Sequence, residues 1–134
     1  MRFTVLADAI SERLNVVSKV ANQKTVLPIM NDLLFVLKDN QLTITAINSD
    51  IHISTMLTVE GDASEGRCVL PTKLICDTFR QLKGEVCDVT YNEDNYAGEV
   101  RSSHGVYNFL GREDVDDFPT FRSVDNTSPN YHAV

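Results

Sequence analysis

Apolar residues recur at helical spacing near the start of the chain. Ile10, Leu14, Val17 and Ala21 follow one another at steps of three and four residues, which places them on one face of a helix. Asp8 is a suitable N-cap residue just before this stripe. The pattern therefore predicts a helix from Asp8 to about Ala21.

A second helix is predicted in the middle of the chain. Pro71 and Thr72 form a typical helix start, and Gly84 is a suitable residue just beyond a helix end. The buried face expected for this helix consists of Leu74, Thr78 and Leu82, flanked by Ile75 and Phe79.

The rest of the chain up to residue 110 is dominated by strand patterns. Alternation of apolar and polar residues, or enrichment in β-branched and aromatic residues, predicts eight strands. Their ranges are 2–6, 33–38, 41–47, 51–59, 67–70, 86–91, 96–102 and 106–110. Asp39-Asn40 is expected to form a two-residue hairpin turn, and residues 60–66 are expected to form a polar loop.

The order of these elements repeats. A strand, a helix and a three-stranded antiparallel meander occur twice, with a period of about 64 residues. This order predicts an α+β domain with pseudo-twofold symmetry, in which both helices pack on one face of an antiparallel sheet. The residues expected between helices and sheet are Ile10, Leu14, Val17, Leu74, Phe79 and Leu82.

Length and composition fit this fold. The chain has 134 residues, with 43% hydrophobic and 23% charged residues, as in an ordinary globular domain. It has neither an apolar run long enough for a membrane helix nor a signal-peptide pattern at its start, so a cytoplasmic protein is expected. The cysteines Cys68, Cys76 and Cys87 form no C-x-x-C pair and are expected to be buried thiols.

The negative net charge conceals a segregation. The whole chain carries −7 at pH 7. Residues 8–24 and 71–83 hold six basic and three acidic residues, a net charge of +3, whereas the remainder carries −10. If both helices pack on the same sheet face, their polar faces form one positive surface. Such a surface suits phosphate groups and does not read bases.

Catalytic motifs are absent from the sequence. It contains no P-loop, G-x-G-x-x-G, G-x-S-x-G or H-E-x-x-H pattern. Four carboxylates in residues 113–117 could hold a divalent cation, but a solvated loop is the favoured interpretation because no glycine-spaced ligand loop accompanies them. We therefore expect a non-enzymatic protein without a cofactor or a metal.

Several segments resemble the N-terminal domain of the bacterial sliding clamp, the β subunit of DNA polymerase III. They are similar to the family's opening M-R-F-T-V, its L-P-I-L-x-N-x-L, T-x-T-D-L-E and V-P-A-(K/R) motifs, its R-x-L helix end and its D-F-P exit. The matching segments are 1–5, 26–34, 43–46, 49–50, 69–73, 79–82, 109–111 and 117–119. The sequence departs from the family at Ile51-His52, which replaces Leu-Glu, and in a closing strand with only Arg101 and His104 nearby.

The resemblance implies a processivity factor of DNA replication. Residues 1–121 would be the first domain of a clamp subunit, and residues 122–134 a linker towards a second domain. Full-length subunits would form a head-to-tail homodimeric ring around duplex DNA, with helices lining the hole, and would bind the replicative polymerase and the clamp loader through later domains. The residues expected to contact DNA phosphates are Arg13, Lys19, Lys24, Lys73, Arg80 and Lys83.

The resemblance also implies a subunit interface on the last strand. Tyr107 and Phe109 lie two residues apart and therefore project on the same side of that strand. We expect them to face a neighbouring subunit; the alternative is that they belong to the domain's own core. Without a third-domain surface, the chain is expected to be monomeric when dilute, with an exposed edge strand.

Two other functions remain possible at this point. One is a stand-alone domain that binds a protein partner through its sheet edge, and the other is a metal-dependent hydrolase built on the carboxylates of residues 113–117. Two more strand–helix–meander repeats downstream of residue 134 would favour the clamp, and loss of an activity with a chelator would favour the hydrolase.

Overall fold

The computed structural model describes residues 1–21, 32–47, 51–113 and 115. Two helices and nine strands lie in these ranges. In chain order they are β1 (Arg2–Leu6), α1 (Ala7–Ala21), β2 (Asp32–Lys38), β3 (Gln41–Ile47), β4 (His52–Thr58), β5 (Glu60–Ser64), β6 (Gly66–Pro71), α2 (Thr72–Gln81), β7 (Val86–Asn92), β8 (Ala97–Ser102) and β9 (Gly105–Leu110). Neither helix is long and apolar enough to span a membrane.

The strands form two antiparallel sheets, not the single sheet expected from the sequence. Sheet A has the order β5-β1-β7-β8-β9, and sheet B has the order β4-β3-β2-β6. The two predicted meanders are confirmed as β2-β3-β4 and β7-β8-β9. The first strand of each repeat, however, pairs with the other repeat: β1 joins β7, and β6 joins β2. This exchange divides the strands between two sheets while keeping one shared core.

The predicted polar loop at 60–66 was wrong, because most of it is strand β5. β5 pairs antiparallel with β1, with Thr4 opposite Glu60 and Arg2 opposite Ser64. The register shifts between these two pairs, and Gly61 has a φ of +79°. A polar, glycine-containing strand is tolerated here because β5 lies at the edge of sheet A, where one side needs no partner.

The helix faces largely agree with the periodicity. Ile10, Leu14 and Val17 of α1 are at most 1% exposed, and α2 buries Thr72, Ile75, Cys76, Thr78 and Phe79, followed by Leu82. The expectation for Leu74 was wrong, since its side chain is 47% exposed. Leu74 precedes Ile75 by one residue and is therefore rotated by about 100° from the buried stripe.

The start of α1 also differs from the prediction. Ala7 is already helical, so Asp8 lies in the first turn and is not the N-cap. Its carboxylate instead accepts a hydrogen bond from the backbone N–H of Gly84, at 2.8 Å. The N–H of Ala7 donates to the carbonyl of Glu85, at 2.9 Å. Gly84 has a φ of +87°, which suits glycine. These bonds attach the start of α1 to the loop after α2.

Two further details of the sequence prediction are confirmed. Asp39 and Asn40 form the turn between β2 and β3, both with positive φ (54° and 60°), as a type I′ hairpin requires. All three cysteines are free and buried. Burial is the main cause that raises their pKa, to about 11 for Cys87, where Glu85 and Asp88 contribute in the same direction. These thiols are therefore poor nucleophiles at neutral pH.

The segment after β9 covers part of the outer face of sheet B. Leu34, Ile47 and Val69 form a small apolar cluster on that face, and Val115 packs against it. The N–H of Arg112 donates to the carbonyl of Val69 on β6, at 3.0 Å. This cover explains why β2 is apolar on both faces.

Candidate nucleic-acid interface

The two helices lie side by side and run in opposite directions. One groove between them is lined by Asp8, Ser11, Glu12 and Asn15 from α1 and by Phe79, Arg80 and Lys83 from the end of α2 and the residues after it. A second groove brings Ser18 of α1 next to residues from the start and middle of α2, among them Lys73. The start of one helix thus lies beside the end of the other. Lys73 and Lys83 lie at opposite ends of this helical layer.

The two arginines predicted to bind DNA are already engaged within the domain. Arg13 donates from Nε to the backbone carbonyl of Met56 on β4, at 3.1 Å, and lies 3.8 Å from the Glu12 carboxylate. Arg80 forms a 2.8 Å ion pair with Asp77, one turn earlier in α2. Both guanidinium groups remain partly exposed, at 37% and 62%. Their charge is therefore partly neutralised by these contacts.

The three lysines of the layer differ from the arginines. Lys19, Lys73 and Lys83 are all exposed. No carboxylate in the described part of the chain lies within ion-pair distance of them. Lys73 occupies the first turn of α2, which contains no acidic residue. A positive charge at a helix N-terminus is unfavourable by about 0.3–1 kcal/mol. Lys73 is therefore placed against local helix stability, as residues at functional sites often are.

The remainder of the described chain is acidic. Outside residues 7–21 and 72–83, it carries 11 carboxylate residues and five basic ones, so the segregation inferred from the sequence persists in the fold. Lys24, the sixth basic residue predicted to contact DNA, lies outside the described residues. The assignment of all six residues to DNA contacts stays a prediction.

The predicted subunit interface is divided between the core and the surface. β9 is an edge strand, as expected, because β8 is its neighbour on one side only. Phe109 is 9% exposed and lies in the domain's own core, where its ring stacks with Tyr91 at a centroid distance of 6.4 Å. Tyr107 is half-buried and packs against the same core. The residues of β9 that face outward are Val106, Asn108 and Leu110. The alternation along β9 separates a buried face from an exposed one. The prediction placed Tyr107 and Phe109 on the exposed face, whereas they lie on the buried one.

A polar cluster that sequence reasoning missed fixes the turn before β9. Ser103 donates from Oγ to the Glu85 carboxylate at 2.5 Å, and Nδ1 of His104 lies 3.0 Å from the other carboxylate oxygen. The hydrogen bond from Ser103, followed by the one from His104, lowers the pKa of Glu85 below its ordinary value. Glu85 thereby connects the β8–β9 turn to the loop after α2. No motif in the sequence indicates this contact, because Glu85 precedes Ser103 by 18 residues.

The acidic run falls largely outside the described residues. Glu113 and Val115 are described, and Glu113 is exposed; Asp114, Asp116 and Asp117 are not described. Within the described ranges, no group of three or more His, Cys, Asp or Glu side chains is arranged to hold a metal ion. The hydrolase alternative therefore gains no support from the described geometry.

Comparison with known proteins shows that most of the chain matches one protein family. Residues 1–122 match the family described as DNA polymerase III beta subunit, N-terminal domain. The beta sliding clamp of Halalkalibacterium halodurans is 29% identical over 126 residues, which cover 89% of this chain and 33% of that protein. The chain therefore spans about a third of the length of this relative.

Solved structures show the same fold. The DNA polymerase III subunit beta of Pseudomonas aeruginosa superposes with a TM-score of 0.81 at 22% identity, covering 90% of this chain and 32% of the other. The beta clamp of Helicobacter pylori, solved with a bound DNA ligase peptide, gives a TM-score of 0.81 at 17% identity, covering 90% of this chain and 33% of that one.

Proposed function

The chain belongs to the family of DNA polymerase III β-subunit N-terminal domains, and on that basis we propose that it supplies one domain of a ring-shaped processivity clamp. The family consists of non-catalytic sliding-clamp subunits of DNA replication. The ring would encircle duplex DNA and keep the replicative polymerase on its template. This function needs no reaction centre, because the protein acts by enclosing the duplex.

The observation that carries the proposal is the basic helical layer on an otherwise acidic domain. A ring that slides must hold DNA by contacts that are weak and blind to sequence. Exposed lysines on a helical surface meet this requirement, since each contributes a point charge and no base-specific geometry. The acidic sheets would form the outer wall, where they would not attract DNA.

The contacts of the five described basic residues divide them into two groups. Lys19, Lys73 and Lys83 form no ion pair with any described residue and would carry most of the phosphate attraction. Arg13 and Arg80 would contribute less, because each already donates to an oxygen of the domain. Lys24, which the resemblance also implies as a DNA contact, would add one more.

The partners of the complete clamp would bind elsewhere. Polymerase and clamp loader would contact later domains. The H. pylori clamp was solved with a bound DNA ligase peptide, and the complete clamp proposed for this chain would bind partner peptides in the same general way. The edge strand β9 would meet the third domain of a neighbouring subunit in a head-to-tail homodimer. Backbone pairing and the outward-facing Val106 and Leu110 would supply this contact, with Tyr107 beside them and Phe109 supporting the strand from inside.

Duplex binding as a function of salt tests the DNA part of the proposal. Fluorescence anisotropy of a labelled duplex is measured with the 134-residue chain and with a triple variant, Lys19→Ala/Lys73→Ala/Lys83→Ala. The three lysine contacts alone contribute about −2.7 to the slope of log K against log salt, and the triple variant should lose this part of the slope. Binding by the chain should be weak, because one domain makes few contacts.

Lys38→Ala is the matched control. Lys38 is also an exposed lysine, but it lies at the end of β2, next to the hairpin turn and outside the helical layer. Its removal should change binding much less than removal of any lysine of the layer. An equal effect of Lys38→Ala, tight binding that survives high salt, or a preference for one DNA sequence would contradict the proposal.

A further inference from the structure

We propose that β9 pairs with β9 of a second copy of this chain, so that two domains form one ten-stranded antiparallel sheet. The inference concerns the 134-residue chain by itself and does not depend on the DNA-binding proposal. Self-pairing and pairing with a third domain of a clamp would use the same backbone groups and would therefore exclude each other.

Among the described residues, three of the four sheet edges are protected and β9 is not. β5 is short and carries two acidic residues in five positions, which would repel a second β5. On β4, the Met56 carbonyl accepts a hydrogen bond from the Arg13 guanidinium. On β6, the Val69 carbonyl accepts one from the backbone N–H of Arg112. β9 contains neither a charged residue nor a proline, and within the described ranges β8 is its one strand partner. Edge strands without such protection pair readily with other strands.

The sequence of β9 is complementary to itself in one register. Side chains that lie opposite each other in an antiparallel pair share a face of the sheet. In this register the twofold axis passes between the two copies of Asn108. Residues on the core side of one β9 then lie opposite core-side residues of the other, and outward-facing residues lie opposite outward-facing ones. This register places Val106 opposite Leu110 of the second copy twice, and Tyr107 opposite Phe109 twice.

This register would cover the most exposed apolar residues of the strand. Leu110 is 69% exposed and Val106 is 44% exposed in the single chain. Both would gain an apolar cross-strand neighbour, and Asn108 would meet its own copy without a charge conflict. Because one strand pair buries little area, the dimer should be weak and should form only at high concentration.

Sedimentation equilibrium from micromolar to near-millimolar concentration tests the association. The wild type should shift from monomer to dimer over this range. Asn108→Lys places two positive charges opposite each other on the axis and should weaken the dimer by about fivefold or more. Asn108 is exposed, so the variant should fold normally. Thr58→Lys, the same kind of change at an exposed position of the protected edge strand β4, is the matched control and should leave the dimer unchanged.

A cysteine on the axis tests the register. Directly opposed residues of antiparallel strands have Cα atoms about 4.5–5.5 Å apart, which permits a disulfide. Asn108→Cys should therefore cross-link two chains quickly under mild oxidation, whereas Thr58→Cys and the wild type, whose own thiols are buried, should not. A wild type that stays monomeric throughout, a dimer that survives Asn108→Lys, or cross-linking of Asn108→Cys no faster than of Thr58→Cys would overturn the proposal.

Discussion

The two halves of the molecule use equivalent positions but fill them with different residues. Along the helices, the core positions of α1 and α2 are separated by a constant 65 residues. The pairs are Ala7 and Thr72, Ile10 and Ile75, Leu14 and Phe79, and Val17 and Leu82, all buried. This constant offset shows that both helices present the same face to the shared core, even though only the Ile10–Ile75 pair is identical.

The sheets differ more than the helices. One residue pair away from the first hairpin turn of its meander, the first half has the row Leu37, Leu42 and Leu57. The equivalent row of the second half is Tyr91, Gly98 and Phe109. Two large rings flank a glycine there, and they stack above it with an interplanar angle of 13°. Where the first half has three leucines, the second half therefore has two aromatic side chains and a glycine without a side chain. The Phe109 ring lies in the space that this glycine leaves, and this keeps Phe109 in the core.

The largest predicted effect concerns the helix faces that the two halves share. Leu14→Ala should destabilise the domain by about 2–5 kcal/mol, because it removes a buried side chain and leaves a cavity. Its counterpart Phe79→Ala should cost about 3–5 kcal/mol. Urea unfolding followed by circular dichroism measures both values.

Leu74→Ala is the control for these truncations. It removes a large apolar side chain from α2, but one that is exposed, and should change stability by only about 0.5 kcal/mol. If Leu74→Ala were as destabilising as Leu14→Ala, the helix orientation described above would be incorrect.

A medium effect is expected from the row that distinguishes the halves. A Cβ added at Gly98 would overlap the Phe109 ring. Gly98→Ala should therefore push this ring off its stacked position and destabilise the domain by about 1–3 kcal/mol. Thermal unfolding and the ring-proton chemical shifts of Phe109 measure the two consequences.

Gly105→Ala provides the comparison within β9. A Cβ at Gly105 would meet no atom within 4 Å, so this variant should be nearly neutral. An undisturbed Phe109 in Gly98→Ala would show that the sheet tolerates a side chain at this position and that the row is not tightly packed.

The sequence predicted local elements better than their assembly. Helical spacing identified both core stripes except at Leu74, and alternation located eight of nine strands, because these patterns arise from local geometry. The exchange of β1 and β6 between the sheets depends on pairing between distant segments, which periodicity does not encode. β5 was missed because an edge strand needs no apolar face.

The local features of the candidate site were also more predictable than the contacts between distant residues. The charge segregation follows from composition once the helices are located, and it persists in the structure. That Arg13 is already engaged could not be predicted, because the Met56 carbonyl lies 43 residues away in the sequence. The ion pair of Arg80 with Asp77 has the i,i+3 spacing of neighbours on a helix, which the charge count did not take into account. The burial of Phe109 depends on the space that Gly98 leaves, which is a property of the neighbouring strand.

The smallest predicted effect concerns the different protection of the edge strands β4 and β9 in the two halves. At the position of α2 equivalent to Arg13 stands Thr78, whose hydroxyl donates to the Leu74 carbonyl of its own helix at 2.8 Å. α1 thus protects the edge strand β4 with a side chain, whereas Thr78, the equivalent residue of α2, bonds within its own helix. Arg13→Ala should cost about 1 kcal/mol, as expected for one partly exposed hydrogen bond.

The local consequence of Arg13→Ala is more diagnostic than its stability. Amide hydrogen exchange should become faster along β4, near Met56, and remain unchanged in β9. Thr78→Ala, the matched change in the other half, should leave exchange in both edge strands unaltered. Duplex binding separates this role from DNA contact: Arg13→Ala should change the salt slope less than Lys73→Ala, because the guanidinium already donates to Met56. An Arg13→Ala variant that lost as much DNA affinity as Lys73→Ala, with unchanged exchange in β4, would identify Arg13 as a DNA ligand and would leave both edge strands equally open.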